Sequence, residues 1–227
     1  NVTLDGLVSW WKFDGDANDC IGGNDGIAYG CSYETYGEYA LEFDGIDDYV
    51  SVADDASLDL TNAITIEAWV KIGENAKASA ILKKGPKLGG SYNSVAYMLY
   101  IENGRVYFYG SNGSKWIFNP SFAYTQDEWM HIAATFNGST AIIYRNGVEM
   151  DRRSGIMDSI QNVVYGLYIG TKWAQFFNGS IDDVRIYNRA LSADEIYQNY
   201  IGNVTLDGLV SWWKFDGDAN DCIGGND

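Results

Sequence analysis

Proline is almost missing from this 227-residue chain, with 2 in total, and histidine occurs once. So little proline excludes a polyproline stalk or a collagen-like chain. A lone histidine excludes sites built on several imidazoles. No apolar run reaches the ~18 residues of a membrane span, and no signal-peptide pattern opens the chain. It begins in what reads as a strand, as a mature or internal fragment does. Cationic side chains are scarce as well, 15 against 31 carboxylates, for a net charge of −16. That field repels nucleic acid and anionic membrane surfaces, and favours hard cations that take carboxylate oxygens.

Cysteine is sparse, with 3 residues and no CxxC pair, so a zinc site is not expected. Cys20 and Cys31 share a Gly- and Asp-rich loop, a spacing that suits a small disulfide-stapled loop and an oxidising compartment. Cys222 is the odd one, and it repeats Cys20.

What the chain does contain is a duplication. Asn1–Asp25, NVTLDGLVSWWKFDGDANDCIGGND, recurs without change at Asn203–Asp227. The period of 202 residues is the size of a domain, not of a solenoid repeat of about 20–50 residues. The expectation is one domain over 1–202, followed over 203–227 by the first strand and acidic loop of an identical repeat, or by a donated strand. No linker separates the two.

Seventeen tyrosines, 8 tryptophans and 26 glycines suit strands joined by tight turns. Ile64, Ile66, Ala68, Val70 and Ile72 alternate with Thr65, Glu67, Trp69 and Lys71, which reads as a half-buried strand. Met130–Phe136 alternates in the same way. Asn103-Gly104 and Asn146-Gly147 mark type I′ hairpins. Further strands are expected at 7–13, 39–43, 48–52, 79–83, 165–170 and 180–187. Ten or more strands imply two packed antiparallel sheets. The one helix expected lies near 192–200, where Ser192 and Glu195 form a capping-box pattern.

Six phrases, GLVSWWKFDGDANDCIGGNDG, ALEFDGIDDYVSV, ITIEAWVKI, WMHIAATFNG, AIIYRNGVE and GSIDDVRIYNRALSADEI, together resemble the concanavalin A-like, laminin-G-type jelly-roll domains. The resemblance spans nearly all of residues 5–200. It implies an all-β, two-sheet antiparallel jelly-roll sandwich whose first strand lies beside one of the last.

The acidic loop after the first strand offers Asp14, Asp16, Asn18 and Asp25 as oxygen ligands for calcium. It is no EF-hand, because Asp19 stands where that loop needs glycine and no helices flank it. The family resemblance implies one calcium held by the aspartate ending the first strand and one from a late strand. Those match Asp14 and either Asp182 or Asp183. The competing reading is an ordinary acidic turn. Asp44, Asp47 and Asp48 read mainly as hairpin-shaping residues.

Catalytic residues are not expected. His131 lies in a strand pattern, and no Ser/His/Asp or Cys/His set can be assembled. Trp10, Trp11, Trp116 and Trp129 read as packing residues. Trp173, in a polar context, is the candidate sugar-stacking ligand-binding residue. Sequons at Asn1, Asn112, Asn137, Asn178 and Asn203 are glycosylation candidates that double as turn sequence.

Two function classes follow. The first is a structural repeat module of an extracellular filament, stalk or cell-surface adhesin, its copies joined head to tail, calcium-stabilised and glycosylated. The alternative is a carbohydrate-binding lectin-type module, for which repetition supplies avidity toward glycans.

Overall fold

A computed structural model of the chain describes residues 4–35, 39–74, 76–87, 91–172 and 175–202. Asn1, Trp173 and the second copy at 203–227, with Asn203 in it, lie outside the described residues.

The first half of the chain gives β1 (Leu7–Trp11), β2 (Gly26–Tyr29), β3 (Ser32–Thr35), β4 (Tyr39–Asp44), β5 (Tyr49–Val52), β6 (Ile64–Ile72), β7 (Ser79–Lys84), β8 (Tyr97–Glu102) and β9 (Arg105–Ser111). The second gives β10 (Trp116–Phe118), β11 (Ser121–Ala123), β12 (Trp129–Phe136), β13 (Thr140–Arg145), β14 (Val148–Ser154), β15 (Leu167–Ile169), β16 (Thr171–Lys172), β17 (Gln175–Phe176), β18 (Asn178–Tyr187) and the helix α1 (Ala193–Tyr200).

These strands build two antiparallel sheets. The first runs β14-β13-β12-β6-β18-β4-β3, with β1 also on β18. The second runs β10-β9-β8-β7-β15-β5-β2, with β11 on β9. Consecutive strands such as β4 and β5 fall in different sheets, so the chain winds between two layers as a jelly roll. Strand β18 pairs with β6 along one side. On its other side it takes β4 at Asn178–Ile181 and β1 at Val184–Tyr187. The first strand thus lies beside the last, as expected.

Both hairpins form as read. Asn103 and Asn146 take φ of 50°, and the glycines after them take 73° and 76°. That doubly positive pair is the type I′ geometry that matches strand twist. Between the sheets Trp11, Phe43, Ile66, Leu99, Phe108, Phe136 and Ile186 pack in one core.

The alternation in β6 and β12 is correct, but the half-burial expected from it is not observed. Thr65, Glu67, His131 and Ala133 are fully buried on the outer face of the first sheet. The reason is α1, which is laid across that face. Ile196 and Leu191 pack with Ala133, Tyr144 and Tyr187, and Tyr200 lies 5.8 Å from the Trp69 ring. Ser192 caps the helix, its Oγ accepting from the Glu195 amide while Glu195 accepts from the Ser192 amide. Arg189 fixes this corner with a two-pronged contact to Glu195, and it also bonds Asp5 at the chain's start.

Candidate functional site

The acidic loop after β1 is organised by Asp19. Its Oδ1 accepts from the amides of Trp10 and Ile21, both at 2.9 Å, and its Oδ2 from Asn24 at 3.0 Å. Phe13, at φ 58°, turns its ring into the core and sends the chain out at Asp14. Asp16 is occupied within the loop, accepting from the Asn18 amide at 3.0 Å and from Asn18 Nδ2 at 2.8 Å. Asp25 accepts from the Asp19 amide at 3.0 Å. Asp16, Asn18 and Asp25 therefore hold the loop's own shape.

Across from Asp14, β18 carries a bulge between Asp182 and Arg185, with Asp183 at φ 50°. Asp183 accepts from Trp10 Nε1 at 2.7 Å and from Arg185 at 2.6 Å. Burial holds the Asp182 carboxyl well above the usual carboxylate range, and the charges of Asp183 and Asp14 add to that. Asp14 lies close enough to Asp182 for its charge to act on that carboxyl. The tightest acidic group among the described residues is a different one. Carboxylate oxygens of Asp44, Asp47 and Asp48 lie within 4.8 Å of one another. There Asp48 accepts from the Asp44 amide at 2.8 Å and Asp44 from the Ile46 amide at 2.7 Å, which shapes the turn between the two sheets.

The Cys20–Cys31 disulfide is not formed. Cys31 is a free thiol whose Sγ lies 3.4 Å from the Tyr29 carbonyl, and burial pushes it up to about 12. Cys20 is itself disulfide-bonded, and its partner is not Cys31. Among the sequons, Asn112 and Asn137 lie in turns their side-chain oxygens cap. Asn178 differs, since its Nδ2 donates to the Asp44 carbonyl at 3.1 Å.

His131 is sealed beneath α1 with Glu67, Arg185, Tyr187 and Asn199, each at most 3% exposed. Asn199 Nδ2 donates to Glu67 at 2.8 Å and lies 3.2 Å from Tyr187 Oη, and His131 Nε2 is 3.9 Å from Glu67. Burial brings His131 down to about 3, with the Arg185 charge adding to it. Burial raises Glu67 to about 7 against the pull of Arg185, Asn199 and Tyr187. Buried in this way, the group seats the helix against the first sheet.

The outer face of the second sheet carries what the sequence reading missed. Along β9, Val106 and Phe108 point into the core, so Tyr107 and Tyr109 point outward. Their rings stack at 5.7 Å and 28°, Trp116 packs 5.1 Å from Tyr109, and Tyr100 closes the group at 6.3 Å. Trp116, expected as a packing residue, is half-exposed in this band. Tyr100 contacts Glu102 at 3.1 Å, and Asn119 hydrogen-bonds Tyr109, so polar groups edge the rings. Asn119 also lines an adjoining cleft of about 430 Å³ with Lys115, Ile117, Arg153, Met157 and Asp158. The signal was present in RVYFYG, whose alternation puts tyrosine on one face. What it lacked was how far that face is covered: Met98 and Tyr100 are buried there, while Tyr107, Tyr109 and Trp116 stay half-exposed.

A family model described as Laminin_G_3, Concanavalin A-like lectin/glucanases superfamily, matches residues 44–197. No curated protein sequence matches the chain. Among solved structures, domain 4 of AbnA, a GH43 extracellular arabinanase from Geobacillus stearothermophilus, in complex with arabinotriose, is similar at TM-score 0.68 and 19% identity. That likeness covers 85% of this chain and 97% of that one. The binding domain of botulinum neurotoxin DC in complex with SialylT is similar at 0.68 and 13%, covering 87% and 52%. The receptor binding domain of botulinum neurotoxin D is similar at 0.67 and 17%, covering 87% and 53%. The chain therefore spans about half the length of the toxin domains. At these identities the likeness establishes the fold.

Proposed function

The chain belongs to the concanavalin A-like lectin/glucanases superfamily, and from that premise we propose that it is a carbohydrate-binding module of a secreted or cell-surface protein. The observation that carries this reading is the aromatic band of half-exposed Tyr107, Tyr109 and Trp116, backed by buried Tyr100, on the outer face of the second sheet. Flat rings beside hydroxyl, amide and carboxylate groups match the chemistry of a sugar, which has apolar C–H faces and a hydroxyl rim. Two of the similar structures hold arabinotriose and SialylT, and this supports the same ligand class here. This reading assigns the module binding and no cleavage. No helix among the described residues is long and apolar enough to cross a membrane.

A glycan array followed by calorimetry tests it. Trp116→Ala and Tyr109→Ala should each lower affinity about tenfold or more, roughly 1.4 kcal/mol, in variants that still unfold cooperatively above the assay temperature. Absence of any glycan ligand, or full binding by the double variant, would count against it.

A calcium ion at the β1–β18 corner is a second reading, favoured by one observation. Asp182 is a half-buried carboxyl raised first by burial and then by the negative charges of Asp183 and Asp14, and a cation relieves the charge part of that arrangement. Asp14 and Asp182 would hold the ion, because Asp183 is already bonded to Trp10 and Arg185. Its contribution there is to join the first strand to the last.

A further inference from the structure

Residues 1–25 and 203–227 are identical, and the fold shows what the first copy is for. It fills a defined seat. Leu7–Trp11 pairs antiparallel with Val184–Tyr187 of β18. Trp11 is fully buried between the sheets, its Nε1 donating to the Asn24 carbonyl at 2.9 Å. Trp10 lies under Arg185 at 4.8 Å and donates to Asp183. Asn24 Nδ2 reaches Ser57 at 3.0 Å, and Asp5 bonds Arg189. From Gly26 onward the chain crosses to the second sheet as β2.

Every group by which the segment holds this seat, from Asp5 to Asn24, recurs from Asp207 to Asn226. Trp213 repeats Trp11, Trp212 repeats Trp10, and Asp221 repeats the loop-organising Asp19. The receiving residues, Asp183, Arg185, Arg189 and Ser57, meet the same side chains in either case. The contact free energy is therefore the same for both copies, and only the tether differs: one copy enters directly from β2, the other from the end of α1.

We propose that the β18 seat accepts residues 203–227 of a second copy of this chain, joining copies head to tail through a shared strand. Recognition is strand addition, with main-chain hydrogen bonds for affinity and the Trp213 pocket for register. Because donor and acceptor surfaces differ, the contact is heterologous and propagates instead of closing as a two-fold dimer. In the native chain its own first copy competes by effective concentration, so exchange grows with protein concentration and with any weakening of residues 1–25.

The test uses the full-length chain and three variants, Trp11→Ala, Trp213→Ala and the double variant, followed by light scattering and thermal melting. Trp11→Ala should form concentration-dependent oligomers that melt within a few degrees of wild type. Trp213→Ala should resemble monomeric wild type. The double variant should stay monomeric and melt lower by on the order of 10 °C. Trp11→Ala that is monomeric overturns the joining of copies, whether it melts near wild type, with its own second copy filling the seat, or as low as the double variant, with the seat rejecting that copy. Should alanine unfold the domain, Trp11→Phe and Trp11→Phe/Trp213→Phe keep the core filled, lose the indole bond to Asn24, and carry the same comparison.

Discussion

Raising the pH from about 4 to about 8 should weaken the fold through Glu67, and the size of the effect follows from the seat of α1. The perturbation is proton loss from a carboxyl that is fully buried between β6 and the helix. In the unfolded chain this glutamate titrates near its ordinary 4.5, whereas burial holds it near 7 in the folded protein. Between those values the folded state keeps a proton that the unfolded state has released. Stability is therefore fully present below about 4.5 and is lost as pH rises through about 7. The difference corresponds to roughly 3 kcal/mol. Arg185, whose Nη1 is 3.9 Å from Glu67, and the Asn199 and Tyr187 contacts oppose the effect but do not cancel it.

His131 pulls the other way. Kept neutral to about 3, it costs stability as pH falls below its ordinary 6.5. Urea denaturation of wild type and Glu67→Gln across this range separates the two, since the variant keeps His131 and an acceptor for Asn199 but cannot ionise. The expected result is a wild-type-minus-variant difference that falls by roughly 3 kcal/mol with rising pH. A difference that stays constant across the range would refute the reasoning, because it would mean that Glu67 is solvated or that α1 does not cover it.

Ser192→Ala removes the reciprocal cap of α1 and should cost about 1 kcal/mol, read as a lower urea midpoint at unchanged slope. Phe136→Ala empties a fully buried site in β12 and should cost about 3–5 kcal/mol, measured in the same way. Cys31, pushed up to about 12, should react with a thiol reagent at pH 8 far more slowly in the native protein than in urea. Asp182→Asn should stabilise the metal-free protein at neutral pH and abolish any fall in melting temperature that EDTA causes in wild type. An equal EDTA response in both proteins would argue against a cation at Asp14 and Asp182.

The longer strands, the two hairpin turns and the helix with its cap were legible in the sequence because each depends on neighbours a few residues apart, whereas the short strands β2, β3, β10 and β11 were not. A two-residue period places side chains on alternate faces whatever the sheet does later. Asn103-Gly104 and Asn146-Gly147 take positive φ for local steric reasons, and Ser192 finds Glu195 three residues on. The duplication is likewise a property of the string of residues alone. Asp14 beside Asp182 came from the family resemblance, not from spacing.

Tertiary structure decided which faces are covered. Glu67 and His131 sit on the polar side of an alternating strand, yet α1 buries them from more than 60 residues away in sequence. Tyr107 and Tyr109 obey the same alternation, and with Trp116 of β10 they stay half-exposed, packed against Val95, Met98 and Tyr100. Cys20 and Cys31 are close in sequence, yet Cys20 is bonded elsewhere and Cys31 stays a thiol. Asp16 and Asp25 accept from backbone amides of their own folded loop, and Asn18 donates its side-chain amide to Asp16. Local rules determine conformation and which side of a strand a residue takes. Only the packing of distant segments determines whether that side meets water, a helix or a ligand, since exposure is a property of the assembled layers and not of the strand.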